Sequence, residues 1–274
     1  MTLAVAALFP WGKLGQWTES LSKLGMGVPQ AVVLLADSRW TYMAGSGGHE
    51  DIGAKLFSLG TNVGIVYAGH VQTGERCIAA LQKRMRENRP EDLGKSASVA
   101  ASVFSSTYKS SNCKEPLYFL IGASLPNKRA EVLRFSYANE FEPTPQHGVV
   151  ALGWPETIKK FKEAESKAAD DAFYSKNDYS LDHDRWALVL ASAMRHDIIE
   201  AAVDETVGGK LMCAVIDERG FREIGVAYTE SVNFEATNWI EVTPKPGELT
   251  TLHAKYQLPP AEANAPIECI QVSE

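Results

Sequence analysis

Residues 31–39 read AVVLLADSR, an apolar run that is followed by the polar residues Asp37, Ser38 and Arg39. The run is short and rich in β-branched and aliphatic residues, as a buried strand is. A second apolar run, TLAVAALF at residues 2–9, has a matching length and opens on Thr2. If the runs 2–9 and 30–37 pair antiparallel, Thr2 and Asp37 meet at the open end of the hairpin.

The two runs are joined by residues 10–29, a connection much longer than a hairpin turn. Within it, Leu14, Trp17, Leu21 and Leu24 recur at the spacing of one helix face. We therefore interpret the segment as a short amphipathic helix inserted in the hairpin, at the end away from its opening.

The rest of the chain alternates strand-like and helix-like segments. Apolar runs predict strands near 55–59, 63–68, 116–124, 130–138, 147–153, 210–217 and 221–227, and helical periodicity predicts helices near 71–88, 94–111, 155–169 and 181–203. Groups of strands separated by pairs of helices indicate two sheets flanked by helix layers in one α+β sandwich. We assign this domain to residues 1–240. The tail, 241–274, carries Pro and small polar residues with little periodicity, and is interpreted as a C-terminal extension.

The composition limits the kinds of partner and ligand that we expect this chain to bind. With 34 acidic and 27 basic residues the formal charge is −7, which argues against nucleic acid or an anionic membrane as the main partner. No apolar stretch approaches the length of a membrane span and no signal peptide pattern is present, so we expect a cytoplasmic protein. The four cysteines are scattered and no His is spaced as a metal partner. We therefore expect no metal, no cofactor and no disulfide framework.

Four short motifs follow one another in a fixed order behind Thr2. They are Ala36-Asp37-Ser38-Arg39, Lys55-Leu56-Phe57, Ala68-Gly69 and the stretch DETVGG from Asp204 to Gly209. No single motif is specific, but the ordered set resembles the proteasome β-subunit branch of the N-terminal-nucleophile (Ntn) hydrolases, of the bacterial proteasome-homologue type. The likeness runs from Thr2 to about Ala227 and leaves out the 10–29 insertion and the tail.

The resemblance implies a four-layer αββα sandwich and a threonine peptidase or amidohydrolase that acts on peptide bonds. Removal of the initiator methionine would leave Thr2 with a free α-amine beside its own hydroxyl, a base and a nucleophile in one residue. Asp37 would hold Lys55 charged and oriented, and the Gly69 amide would donate to the oxyanion. Asp204 would complete the catalytic set.

Trp40, Tyr67 and Val71 flank the implied site along the chain and are candidates to line a pocket for a substrate side chain. The two aromatic residues could equally belong to the core. Arg39 and Gly208 are interpreted as structural support for the site.

The proposed catalytic residues also have explanations without chemistry. A β-branched Thr2 suits the start of a strand, and Asp37 with Arg39 could form a salt-bridged turn. Lys55 could be a surface lysine, and Gly69 a turn glycine. The order and spacing of the residues favour the catalytic interpretation.

Two positions depart from the resemblance. The family carries serines, which help to hold the threonine amine, where this chain has Val207 and Trp154. Thr206 lies beside the first of them and could substitute. A non-catalytic proteasome-like scaffold or binding subunit therefore stays open, as does an Ntn-type transpeptidase or ligase. The implied partners are a peptide or protein substrate and further copies of the chain in a homo-oligomeric ring, with any ATPase partner undetermined.

Overall fold

The hairpin predicted from the two apolar runs is present in the structure, a computed structural model. The structure describes residues 3–9, 31–41, 49–51, 53–88, 93–124, 129–175, 183–203, 205–225, 239–243 and 251–255. Strand β1 (Ala4–Phe9) pairs antiparallel with β2 (Ala31–Asp37), and Ala4 lies opposite Ala36. The helix predicted within 10–29 lies outside the described residues.

Two antiparallel sheets contain most of the strands. The strands that follow β2 are β3 (Trp40–Thr41), β4 (His49–Glu50), β5 (Leu56–Gly60), β6 (Val63–Gly69), β7 (Leu117–Ala123), β8 (Glu131–Ser136), β9 (Thr144–Gln146), β10 (Val149–Leu152), β11 (Leu211–Asp217), β12 (Gly220–Gly225), β13 (Trp239–Thr243) and β14 (Thr251–Lys255). The first sheet has the order β10-β1-β2-β11-β12-β13-β14, and the second has the order β5-β6-β7-β8-β9. Strands β3 and β4 form a separate two-stranded ribbon.

Four α-helices lie in the described part of the chain. They are α1 (Val71–Asn88), α2 (Leu93–Ser110), α3 (Pro155–Ser175) and α4 (His183–Met194). Helix α4 continues as a π-helical segment, Arg195–Glu200, and α3 runs beyond its predicted end at 169. Within the ranges given above, no helix combines the length and the apolar character needed to cross a membrane.

The side chains of β1 alternate between two apolar cores, as the two-residue period of a strand requires. Leu3 and Val5 pack with residues of α3 and α4, whereas Ala4 and Ala6 belong to a core that includes residues of the second sheet. A third core joins the other face of the second sheet, represented by Ile65, to α1 and α2. The described residues therefore form a mixed α/β arrangement of two antiparallel sheets and four helices.

The first sheet is wider than the sequence pattern predicted. The segment beyond 240 gave no strand prediction, yet β13 pairs with β12, with Ile224 opposite Glu241, and β14 pairs with β13. Part of the predicted C-terminal extension thus continues the sheet of the main domain.

Candidate active site

The carboxylate of Asp37 lies at the end of β2, where three segments of the chain meet, and it is fully buried. Its Oδ1 accepts the backbone N–H of Leu3 at 3.0 Å, and its Oδ2 accepts those of Arg39 at 3.1 Å and Gly208 at 3.3 Å. A buried carboxylate needs such donors to offset its lost hydration. The three amides therefore determine where the carboxylate can sit.

Lys55 is the charged partner of Asp37. Its Nζ lies 3.2 Å from Asp37 Oδ2, and both side chains are 0% exposed. The same Nζ donates to the carbonyl oxygen of Arg39. Lys55 directly precedes β5, and its carbonyl oxygen accepts the N–H of Tyr67 at 3.3 Å. The second sheet thus supplies the ammonium group and the first sheet supplies the carboxylate.

Burial acts against both charges of this pair. It raises the pKa of Asp37, while the charge of Lys55 and the amide of Gly208 pull that pKa back down. Burial also lowers the pKa of Lys55, against the attraction of Asp37. A buried ion pair adds little stability compared with an apolar replacement. Its presence at the ends of two strands therefore favours a chemical role over a structural one.

Arg39 stabilises the loop that contains Gly208 through hydrogen bonds. Its guanidinium makes two hydrogen bonds to Asp51, with Nε–Oδ1 at 2.7 Å and Nη2–Oδ2 at 3.0 Å. It also donates to the carbonyl oxygens of Glu205 and Val207. A Cβ on Gly208 would overlap Arg39 Cζ, so a side chain here would displace the guanidinium from its present position. Asp51 gave no signal in the sequence, because an acid twelve residues after an arginine is unremarkable.

Gly69 ends β6 in a backbone conformation that other residues avoid. Its φ is +122°, and a Cβ there would overlap the carbonyl oxygen of Pro116. That oxygen accepts the N–H of His70 at 3.1 Å. The backbone therefore requires glycine at this position, whatever its amide does in catalysis.

The three pocket candidates occupy different settings. Tyr67 is 1% exposed and packs in the core with α1 and α2, with its ring 6.2 Å from that of Phe119. Its hydroxyl has no hydrogen-bond partner among the described residues. Val71 begins α1 and is partly exposed, and Trp40 begins β3 with a side chain outside the described part. Tyr67 is thus placed as a core aromatic residue.

His70 caps the start of helix α1, a structural role that the sequence did not indicate. It directly precedes α1, and its Nδ1 accepts the backbone N–H of Thr73 at 3.3 Å. The same Nδ1 lies 2.9 Å from the Thr73 hydroxyl. These contacts satisfy one of the unpaired amides at the start of the helix. Histidine is not among the usual capping residues, so no pattern pointed to this role.

The two positions where the resemblance expects serine lie in contrasting environments. Val207 is 2% exposed and belongs to the core that α3 and α4 form with the first sheet. Trp154 directly precedes α3 and is 50% exposed. Neither side chain carries a hydroxyl group.

Two predicted catalytic residues, Thr2 and Asp204, lie outside the described residues. Leu3 follows Thr2 directly, and its amide is one of the three that Asp37 accepts. Among the residues that the structure describes, no group of three or more His, Cys, Asp and Glu side chains is arranged to hold a metal ion.

The fold has a counterpart among solved structures. The structure of the Anbu (Gly-1) mutant from Hyphomicrobium sp. strain MC1 matches this one with a TM-score of 0.54, over 81% of this chain and 84% of that chain, at 13% identity. Anbu is a proteasome-related protein of Ntn-hydrolase type. No family model matches the chain, and no curated protein matches it. The likeness therefore concerns the fold alone, which is similar to that of a proteasome-like protein.

Proposed function

We propose that this chain is a proteasome-like Ntn hydrolase that cleaves peptide bonds with Thr2 as its nucleophile. The observation that carries the proposal is the buried pair of Asp37 and Lys55 beside the amide of Leu3. One peptide bond joins Thr2 to Leu3, so the Thr2 Cα lies within about 2.5 Å of a nitrogen that donates to Asp37. Removal of Met1 would therefore create a free α-amine a few covalent bonds from the Leu3 nitrogen, which donates to Asp37 of the buried ion pair.

The proposal includes the four-layer αββα sandwich of the family. Three cores support it, because one contains residues of both sheets and each of the others joins one sheet to its own pair of helices. The likeness to the Anbu fold supports it further.

In the proposed reaction, the Thr2 amine acts as the base. An α-amine has a pKa of about 8 in small peptides, and the nearby ammonium of Lys55 would lower it by like-charge repulsion. The neutral amine, directly or through water, takes the Oγ proton as the oxygen attacks the peptide carbonyl carbon. The Gly69 amide donates to the oxyanion. The leaving amine takes this proton from the Thr2 ammonium as the peptide C–N bond breaks, and water then hydrolyses the ester that remains on Thr2.

A specific observation favours a second candidate, a non-catalytic proteasome-like scaffold. Val207 is part of an apolar core rather than a polar network, and Trp154 replaces the other serine of the family with a bulky ring. If these serines are needed to hold the amine, the chain would keep the fold without turnover. In both candidates we propose assembly of copies into a closed ring, which light scattering on the purified protein would measure.

The test is chemical labelling of the N-terminus. Purified protein is treated with a peptide electrophile that requires a free α-amine and a hydroxyl on the same residue. Intact mass before and after treatment, followed by peptide mapping, reports the state of Met1 and the site of the adduct. We expect loss of Met1 and one adduct per chain, on Thr2.

Three variants sharpen the experiment. Thr2→Ala removes the hydroxyl and should abolish labelling, and Lys55→Ala should nearly do so. Lys109→Ala is the matched control, because that lysine is 67% exposed and its ion pair with Glu140 lies on the surface. Retained Met1, or a mature Thr2 that stays unlabelled, would contradict the peptidase and support the scaffold.

A further inference from the structure

Arg134 points from the second sheet toward the first. It lies on β8 opposite Leu120 of β7, and paired residues of antiparallel strands project from the same face of a sheet. Leu120 belongs to the core that contains Ala4 and Leu152 of the first sheet. The guanidinium therefore projects into the space between the two sheets.

The guanidinium of Arg134 has no charged partner among the residues that the structure describes. Its Cζ lies 5.6 Å from the centre of the Tyr118 ring, a cation–π contact. Its Nε is buried without a hydrogen-bond partner, and the group makes no hydrogen bond or ion pair with any residue in the described ranges. Guanidinium groups in such partly buried positions are normally paired with a carboxylate or phosphate.

The aromatic residues around Arg134 do not supply a negative charge. Burial raises the pKa of Tyr118, an effect that neighbouring Tyr137 reinforces and the charge of Arg134 only partly opposes. The two tyrosine rings meet edge to face at 5.5 Å. The Tyr118 phenol thus stays neutral near pH 7, and no side chain in the described part of the chain neutralises the positive charge of Arg134.

Arg134 lies on the second sheet, further from the strand ends than the candidate site. Its stacking partner Tyr118 is paired with Ala68, the residue before Gly69, and with Ser136 of β8. Arg134 is in register with Leu120 and Val66, so it lies two strands across from Gly69 and three residues along the strand. Spacings of about 4.8 Å between strands and 3.3 Å between residues put the two Cα atoms roughly 14 Å apart. An extended peptide covers that distance in about four residues.

We propose that Arg134 binds a carboxylate of the peptide substrate, about four residues from the scissile bond. The proposal rests on the proposed function for the position of the scissile bond, but the carboxylate site itself does not depend on catalysis. The carboxylate would accept two parallel N–H groups from the fork of the guanidinium, while the Tyr118 ring holds the fork flat. The chain would then prefer peptides with an acidic residue at one position over their neutral counterparts.

Two measurements on the intact protein test the preference. In the first, fluorescent five-residue peptides carry Glu or Gln at each position in turn, and binding is followed by fluorescence anisotropy. In the second, peptide electrophiles with the same Glu and Gln pairs are compared for their rate of adduct formation at Thr2. Peptides with a free or an amidated C-terminus separate a terminal carboxylate from a side-chain carboxylate.

The variants are Arg134→Gln, Arg134→Lys and the control Arg84→Gln. Arg84 lies on α1, is 59% exposed and has a surface contact of 3.8 Å with Glu87. We expect the wild type and the Arg84→Gln protein to favour one carboxylate peptide about tenfold, the effect of one charge-assisted hydrogen-bonded pair. Arg134→Gln should remove the preference, and Arg134→Lys should restore part of it, which a purely structural role would not produce.

The outcomes separate this inference from the proposed function. Carboxylate-selective binding that Arg134→Gln removes, without any adduct at Thr2, would support the carboxylate site and contradict the peptidase. Adducts at Thr2 that form equally with Glu and Gln probes would support the peptidase and overturn the role of Arg134. Equal binding at every position, absent binding, or a preference that survives Arg134→Gln would also overturn it.

Discussion

The two carboxylate oxygens of Asp37 accept four hydrogen bonds, and this limits which residues can replace Asp37. Oδ1 accepts from Leu3, whereas Oδ2 accepts from Arg39, Gly208 and Lys55. An asparagine at this position offers only one carbonyl oxygen, so buried amides on one side would lose their acceptor. It would also leave the Lys55 ammonium buried without its counter-charge, which is costly.

We expect the effects of Asp37→Asn and Lys55→Met on stability to be strongly non-additive. In the wild-type background, Lys55→Met should lower the free energy of unfolding by about 3 kcal/mol, because it leaves the Asp37 charge buried without its cation. In the Asp37→Asn background the same change removes an ammonium that has lost its counter-charge, and should cost less than about 1 kcal/mol or even stabilise. Urea unfolding of the wild type, the two single variants and the double variant measures this double-mutant cycle.

The matched control for this cycle is Lys109→Met, which breaks an ion pair with Glu140. The side chain of Lys109 is 67% exposed and that of Glu140 is 75% exposed. That change should cost less than about 0.5 kcal/mol. If Lys55→Met had the same cost in both backgrounds, Asp37 and Lys55 would not act as a pair.

At the scale of secondary structure, local patterns were sufficient for most elements. The apolar run 31–37 is a strand buried at all seven positions, and the periodic segment 71–88 is helix α1. Patterns failed where long-range pairing decides the structure. Strand β13 pairs with β12 and β14 pairs with β13, and their sequence shows little periodicity of its own.

The site was predictable only in part for the same reason. Asp37 and Lys55 could be placed together because the resemblance supplied their relation, and the structure brings them within 3.2 Å. The amide of Gly208 reaches Asp37 from 171 positions away, and no local pattern reports such a contact. Nor could the sequence show that Val207 faces an apolar core, because burial depends on how α3 and α4 pack on the sheet.

The end of β6 gives a prediction about an element. Gly69→Ala should lower the free energy of unfolding by about 2–4 kcal/mol, because the φ of +122° disfavours a side chain and its Cβ would overlap the Pro116 carbonyl oxygen. The strand end would have to shift, so labelling of Thr2 should slow as well. Urea unfolding and adduct formation measure the two effects.

Gly60→Ala is the control for this change, since it ends the neighbouring strand β5 and a Cβ there would meet nothing within 4 Å. It should change stability by less than about 0.5 kcal/mol. Equal effects of the two substitutions would show that the backbone at Gly69 is not constrained as described.

For the molecule as a whole, a second charged cluster holds the end of the first sheet that is opposite the candidate site. Asp217 ends β11 and is 1% exposed, and its Oδ2 accepts from His183 at 3.2 Å, Arg219 at 2.8 Å and Arg222 at 3.0 Å. Asp184 accepts from both arginines. The cluster ties the first residues of α4 to the β11–β12 hairpin.

The ionisation of Asp217 couples this cluster to global stability. Burial disfavours its charged form, but hydrogen bonds from His183 and Arg219 and the charge of Arg222 outweigh burial and hold the pKa of the carboxyl well below its usual range. A carboxyl whose pKa is lowered by folding stabilises the protein above its unfolded pKa, about 4. That contribution is lost as the pH falls below about 4 toward the lower pKa of the folded state.

We therefore expect Asp217→Asn to be less stable than the wild type by about 2–3 kcal/mol at pH 7, with a gap that narrows between pH 4 and pH 2. The gap narrows because protonation removes from the wild type the charge that the substitution has already removed. Urea unfolding at a series of pH values measures it. Asp197→Asn is the control, since Asp197 is exposed on the π-helical segment, and its curve should run parallel to that of the wild type. A gap for Asp217→Asn that stays constant down to pH 2 would mean that the cluster holds the sheet through packing rather than through the charge of Asp217.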